Sequence, residues 1–298
     1  MAEFQGIIVI HKEKGFTSHD VVAKLRGILH MKKIGHTGTL DPDATGVLPV
    51  ALGKGTKLVD LLTDKEKTYE AVLHLGITTD TQDMSGAVLK EREVSVTEEE
   101  VKEVLRSFVG EQMQVPPMYS ALKVDGKKLY ELAREGKTVE RKARPVCFYE
   151  IEPLEIHLPL VKIRVTCSKG TYIRTLCHDV GEKLGCGGCM SSLRRTRAGS
   201  FTLAQAVTMQ QVLDFAAGQD PQQLLMPVDA VFSAHPPLIV TMGQAAKLKN
   251  GAQVKDWQFQ PGTYRVYAED GEFLLLGRVE GGVLTTIKSF FEVNTLAT

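Results

Sequence analysis

The chain has 298 residues, 43% of them hydrophobic and 24% charged, and its 36 basic and 36 acidic side chains cancel to a formal net charge of zero. That length fits one large domain followed by a small one, and the composition is that of ordinary globular material. No apolar run approaches the roughly 18 residues a membrane span needs, and the start, Met-Ala-Glu-Phe-Gln-Gly, lacks the basic and apolar regions of a signal peptide, so the expected location is cytoplasmic with no membrane partner.

Residues 6–10 form a short apolar run that predicts a strand. Ser18 then has the character of a helix N-cap, and Val21, Val22, Leu25, Ile28 and Leu29 follow at helical spacing. Residues 56–62 predict a short helix, and residues 69–75 alternate as a strand does. Thr97 and Glu100 form a capping box that opens a helix ending near Phe108 and Gly110. Asp125-Gly126 is a hairpin signal, and residues 129–134 predict a helix closed by Gly136. Residues 151–156 and 161–166 alternate as strands, residues 172–184 predict a helix closed by Gly185, and residues 210–217 another helix.

Periodicity breaks over residues 218–237, where Gly218, Asp220-Pro221, Pro227 and His235-Pro236-Pro237 cluster; this predicts a boundary, with domains over residues 1–230 and 231–298. Beyond it come a helix over residues 244–249, closed by Gly251, and short strands turning at Pro261-Gly262, Asp270-Gly271 and Gly281-Gly282.

The neutral net charge hides segregation. Residues 123–144 carry eight basic side chains against four acidic ones; Arg194, Arg195 and Arg197 form a second basic group, and Lys54 and Lys57 a third, while Glu98-Glu99-Glu100 is acidic. Such a distribution suits one phosphate-facing surface on a neutral molecule, and equally a set of solvated faces. The five cysteines, Cys147, Cys167, Cys177, Cys186 and Cys189, are odd in number, which argues against a disulfide framework. Cys186 and Cys189 have Cys-x-x-Cys spacing but no second pair at zinc-ribbon spacing follows, so reduced structural thiols are expected.

The most informative stretch is residues 35–50, Gly-His-Thr-Gly-Thr-Leu-Asp-Pro-Asp-Ala-Thr-Gly-Val-Leu-Pro-Val. It sets one carboxylate, Asp41, on a turn rich in Gly, Thr and Pro. Glycine permits sharp backbone bends, and the proline pushes the aspartate before it into an extended conformation. A stiff loop presenting an acid is what a nucleophile or a general base requires. An isolated Asp-Pro is more often a helix cap than a reactive group; the whole segment shifts that balance.

The segment resembles the signature of the TruB family, the tRNA pseudouridine-55 synthases. Four more blocks resemble that family in its order: residues 67–71, Lys-Thr-Tyr-Glu-Ala; residues 115–123, Val-Pro-Pro-Met-Tyr-Ser-Ala-Leu-Lys; residues 170–176, Gly-Thr-Tyr-Ile-Arg-Thr-Leu; and residues 192–199, Ser-Leu-Arg-Arg-Thr-Arg-Ala-Gly. Together they span most of residues 6–200. The family's N-terminal block, Asp or Asn, Lys, Pro, any residue, Gly, reads here His11-Lys12-Glu13-Lys14-Gly15, departing at its first and third positions. That departure bears on the first turn rather than on the chemistry.

The resemblance implies an α/β catalytic domain with a mixed, mostly antiparallel sheet, followed by a PUA-like β-barrel. It implies isomerisation of uridine 55 in the T-loop of tRNA, with base flipping and without cofactor or metal. Consistent with that, no Gly-x-Gly-x-x-Gly follows a strand, and Gly53-Lys54-Gly55-Thr56 lacks P-loop spacing. Asp41 matches the catalytic aspartate, whether as nucleophile or as base; Asp43 is its rival by position, read as a turn residue. Arg174 matches the arginine that partners the aspartate, Tyr69 the active-site tyrosine that stacks on uracil, Leu193 an apolar residue under the base, and His36 the histidine that contacts the displaced nucleotide. The expected partner is the tRNA T-stem-loop, with no obligate protein partner and a monomeric chain. The alternatives are a non-catalytic RNA-binding or tRNA-folding protein on the same scaffold and a related synthase working in a guide-RNA complex.

Overall fold

A computed structural model describes residues 4–63, 65–124, 126–256 and 258–291. In chain order the elements are β1 (Gly6–Lys12), α1 (Ser18–Leu29), β2 (Ile34–His36), β3 (Thr45–Leu52), α2 (Val59–Thr63), β4 (Lys67–Leu75), β5 (Ile77–Thr79), β6 (Val88–Glu91), α3 (Glu98–Ser107), β7 (Gly110–Gln114), β8 (Lys123–Val124), β9 (Lys127–Lys128), α4 (Leu129–Arg134), β10 (Arg144–His157), β11 (Leu160–Cys167), α5 (Ile173–Lys183), β12 (Gly188–Ala198), β13 (Phe201–Thr202), α6 (Met209–Gly218), β14 (Pro237–Val240), α7 (Met242–Lys249), β15 (Val254–Lys255), β16 (Gly262–Ala268), β17 (Phe273–Glu280) and β18 (Val283–Ser289).

A nine-stranded sheet runs in the order β1-β3-β12-β4-β11-β10-β7, with β2 paired to β3 and β13 to β12. Its pairs are antiparallel except β12 with β3, which run parallel. The mixed, mostly antiparallel sheet inferred from the resemblance is therefore observed. A second sheet of five strands, β14-β16-β17-β18-β15, follows, and its curled half-barrel fits a PUA-like domain.

Apolar burial explains the layering. The strands β1 and β3 are hydrophobic on both faces because both faces are covered. On one side Ile8, Ile10, Leu48, Val50 and Leu52 pack against Val21, Val22, Leu25 and Leu29 of α1 and Met209 and Val212 of α6. On the other, Ile7, Val9, Val47 and Ala51 pack with Leu58, Leu62 and Phe232, with Leu276 of the second sheet and with Phe290 just after β18. Further along, Leu176, Cys177 and Val180 of α5 cover Ala71, Leu73 and Leu75 of β4 and Val161, Ile163 and Val165 of β11.

Local chemistry sets the boundaries. Thr97 and Glu100 close the expected capping box on α3. The α1 N-cap is Thr17, not Ser18: Thr17 shares a capping box with Asp20, which releases the Ser18 hydroxyl to accept from the Leu40 N–H at 2.9 Å. Residues 53–58 wind as a 3-10 turn before α2, so the helix expected over residues 56–62 is split. The hairpin signal at Asp125-Gly126 matches the pairing of β8 with β9; Asp125 itself lies outside the described residues. Among the described residues no helix is long and apolar enough to cross a membrane.

Candidate active site

The sheet's register gathers the candidate residues. In β4, Tyr69 lies opposite Val165 on β11 and Arg195 on β12, and Ala71 lies opposite Leu193. Arg195 is in turn paired with Gly46 at the start of β3. The Asp41 loop, residues 37–44, joins β2 to β3 and so emerges beside Tyr69 and Leu193; Leu40, Ala44, Tyr69, Ile173 and Leu193 share one hydrophobic cluster.

The loop is held by its backbone. The Thr37 N–H donates to the Pro49 carbonyl at 3.1 Å, the Gly15 N–H to the Pro42 carbonyl at 2.9 Å, and the Ala44 N–H to the Asp41 carbonyl at 3.1 Å. Lys12, fully buried, donates its ammonium to the carbonyls of Glu13 (3.0 Å), Pro42 (3.0 Å) and Ala44 (2.6 Å). Desolvation lowers the Lys12 pKa to about 8, against the opposing pull of Asp41 and Asp43. The N-terminal block thus does shape the loop, through its lysine. Its departure at Glu13 is tolerated because Glu13 contributes a backbone carbonyl, which any side chain would supply.

Asp41 does not cap a helix, since β3 follows it. Asp43, its rival, sits at the surface 3.9 Å from Lys14, as a turn residue would. Arg174, at the second position of α5, is 5% exposed and reaches Asp41 at two points: Nε to Oδ2 at 3.1 Å and a terminal nitrogen to Oδ1 at 3.3 Å. The remaining donors go to the Tyr119 carbonyl (2.8 Å), the Thr81 carbonyl (3.3 Å) and the Asp83 carboxylate (3.5 Å). The guanidinium is thus fixed from several sides before it meets Asp41. The Asp41 side chain keeps 39% of its surface exposed although Arg174 engages both of its oxygens. Desolvation raises its pKa above the ordinary 3.8, with Asp83 acting in the same sense, while Arg174 and Lys12 pull it down.

Tyr69 and Leu193 are each 9% exposed, which leaves an edge of each side chain at the surface of the cluster. Burial raises the Tyr69 pKa, and Arg195 opposes that rise. His36 closes β2 with its ring 5.4 Å from that of His19, edge to face at 77°. Its Nδ1 is buried without a hydrogen-bond partner, and burial, followed by His19 and Arg195, lowers its pKa below 6.5. The imidazole is therefore uncharged at neutral pH.

Three features were not legible in the motifs. Asp83, in the turn after β5, carried no sequence signal because only folding brings it to Arg174. Lys12 was visible in its block, but its three carbonyl contacts were not. The basic group at Arg194, Arg195 and Arg197 is not one surface patch: strand alternation turns Arg195 inward, where it is 1% exposed. The five cysteines are free and four of them are buried; desolvation pushes the Cys167 thiol up to about 12 and the Cys189 thiol up to about 11. Among the described residues no three or more His, Cys, Asp or Glu side chains gather as a metal site.

Comparison with known proteins gives this geometry a family. Residues 26–173 match the model for the TruB family pseudouridylate synthase N-terminal domain, and residues 174–233 that for the tRNA pseudouridylate synthase B C-terminal domain. A tRNA pseudouridine synthase B from Lachnoclostridium phytofermentans is 55% identical over 262 residues, covering 85% of each chain. One from Clostridium novyi is 46% identical over 277 residues, covering 91% of this chain and 94% of the relative. The chain belongs to the TruB family of pseudouridylate synthases.

Solved structures agree on the fold. The TruB-family chain resembles one in a Cbf5-Nop10-Gar1 complex at a TM-score of 0.72 and 30% identity, covering 97% of this chain and 86% of that one. It also resembles one in an H/ACA RNP bound to a substrate RNA containing 2'-deoxyuridine, at 0.71 and 28%, with the same coverage.

Proposed function

We propose that this protein converts uridine 55 in the T-loop of tRNA to pseudouridine, with Asp41 as the catalytic carboxylate. The reaction breaks the bond from ribose C1′ to uracil N1, turns the base, and joins C1′ to C5; the C5 proton leaves and N1 gains one, so atoms and charge balance without a redox carrier. The observation that carries this reading is the two-point hold of a partly open Asp41 by Arg174, beside the cluster that joins Tyr69 and Leu193 to the Asp41 loop.

The roles follow from physical chemistry. A guanidinium fixes the orientation of the carboxylate and favours its ionised form. The Tyr69 ring offers a face on which a flipped uracil stacks, and Leu193 an apolar floor. His36, uncharged and with an unpartnered ring nitrogen, stands where it can contact the nucleotide that the extruded base leaves behind. A tRNA substrate places the work in the cytoplasm. We infer a chain that acts alone as a monomer: the curated relatives match it at 43–55% identity, whereas its likeness to chains from protein assemblies is 27–30%. Incubation of the protein alone with an unmodified tRNA transcript, followed by nucleoside analysis, tests the reading. Pseudouridine at position 55 supports it; bound but unmodified tRNA would instead favour the non-catalytic RNA-folding protein.

A further inference from the structure

Arg195 is the largest fully buried side chain of the described residues, 1% exposed, yet among those residues no carboxylate forms an ion pair with it. Its Nε donates to the Val47 carbonyl at 2.7 Å and a terminal nitrogen to the Gly38 carbonyl at 3.3 Å. The other terminal nitrogen lies 3.6 Å from where a Cβ on Gly38 would sit, so the guanidinium presses directly against the Asp41 loop. In register, Arg195 faces Tyr69 on one side and Gly46 on the other, which sets its side chain beside the Tyr69 ring on one face of the sheet, and its charge favours the ionised phenol.

A buried cation without a counter-ion is costly, and a neutral side chain of similar size could tie two strands together for less. Here its donors hold the Asp41 loop at Gly38 and the strand after it at Val47, while its register sets the same side chain beside Tyr69. We propose that Arg195 is a positioning residue of the isomerisation: anchored on the Gly38 and Val47 carbonyls and lying opposite Tyr69, it engages the tyrosine hydroxyl when substrate is bound, so that the tyrosine ring and the Asp41 carboxylate address opposite parts of one nucleotide. This rests on the pseudouridine-synthase reading given above. Arg194, next to it, faces solvent and has no such role.

The test is a double-mutant cycle on the full chain with tRNA transcript under single-turnover conditions. Wild type must first make pseudouridine; if it does not, the functional reading fails and Arg195 is not at issue. With wild type active, Arg195→Lys, which keeps charge but loses the planar fork, is expected to cut the single-turnover rate about 30-fold, of the order lost when a positioned hydrogen bond is removed, with tRNA affinity unchanged within threefold. In a Tyr69→Phe background, followed over hours, the same substitution is expected to cost less than threefold. Arg195→Gln serves as the second variant. The proposal is overturned by a rate within twofold of wild type, by an equal loss in both backgrounds, or by a loss confined to tRNA affinity. Loss of the folded far-ultraviolet spectrum in both Arg195 variants also overturns it, since the residue would then be structural.

Discussion

Arg174 meets Asp41 with two different nitrogens, at 3.1 and 3.3 Å, while its other contacts run to the Tyr119 and Thr81 carbonyls and to Asp83. The arginine is buried and the aspartate is partly open, so the rigid partner orients the accessible one. This asymmetry suits the proposed reactive carboxylate: the group proposed to meet substrate is the more open one, and the group that would aim it is held by several partners. Burial raises the Asp41 pKa and Asp83 adds to the rise, against Arg174 and Lys12. Ionised Asp41 therefore exists at a cost to the fold, as is common at active sites.

Asp83 acts on this pair in two ways. It anchors Arg174 at 3.5 Å, and its charge raises the Asp41 pKa. Asp83→Asn should lower the plateau rate of pseudouridine formation by about tenfold, as one charge-assisted contact of roughly 1.5 kcal/mol is weakened. The acid limb of the rate profile should move to lower pH, because a negative neighbour has gone. Single-turnover rates from pH 4.5 to 8 read both effects; an acid limb moving upward would contradict the assignment.

Lys12 ties the loop at the Pro42 and Ala44 carbonyls, with a third contact to Glu13, and has a pKa of about 8 rather than 10.5. Between those values the unfolded chain binds more protons than the native one, so this group adds stability as pH rises through the window, and below pH 8 the buried charge opposes folding throughout. Activity should run the other way. An ammonium has three N–H donors and an amine two, so a contact to the loop is lost as Lys12 deprotonates. The rate should fall above about pH 8, and Lys12→Met should be slow, by about tenfold or more, with that alkaline limb gone. A Lys12→Met profile superimposable on wild type would refute the bracing role.

His36 is uncharged at neutral pH, because burial, His19 and Arg195 all disfavour its cation. Its proposed contribution to RNA binding is therefore stacking rather than phosphate attraction. His36→Ala should weaken tRNA affinity by about tenfold, within the roughly 1–3 kcal/mol range for base–aromatic stacking. His36→Phe should keep affinity within about threefold, since it retains a stacking ring and removes a buried nitrogen that has no partner. Filter binding at two salt concentrations distinguishes the modes: a salt slope changed by His36→Ala would mean that the residue contacts phosphate.

Much of this architecture was legible because it is local. The Thr97 capping box, the alternation of β4 and the glycine-closed helices are short-range chemistry that a sequence carries directly. Blocks resembling a known family pointed to Asp41, Arg174, Tyr69, Leu193 and His36; the fold sets Arg174 on Asp41 and packs Tyr69 and Leu193 with the loop residues Leu40 and Ala44. What escaped notice is long-range. Asp83 lies ninety-one residues before Arg174 in sequence, and their meeting depends on how the turn after β5 packs over α5. Arg195 looked like one member of a basic run until strand pleating separated it from Arg194. Ser18 looked like a cap because Thr17, one residue earlier, is equally suited, and only the loop at Leu40 decides between them.

The central claim is that the Asp41 carboxylate performs the chemistry, and Asp41→Asn tests it most directly. The variant keeps the shape and removes the charge, so folding at neutral pH should be at least as stable as wild type. Single-turnover nucleoside analysis on unmodified tRNA should show wild-type affinity and no pseudouridine at position 55. Pseudouridine formed by the Asn variant at a rate near that of wild type would contradict the account.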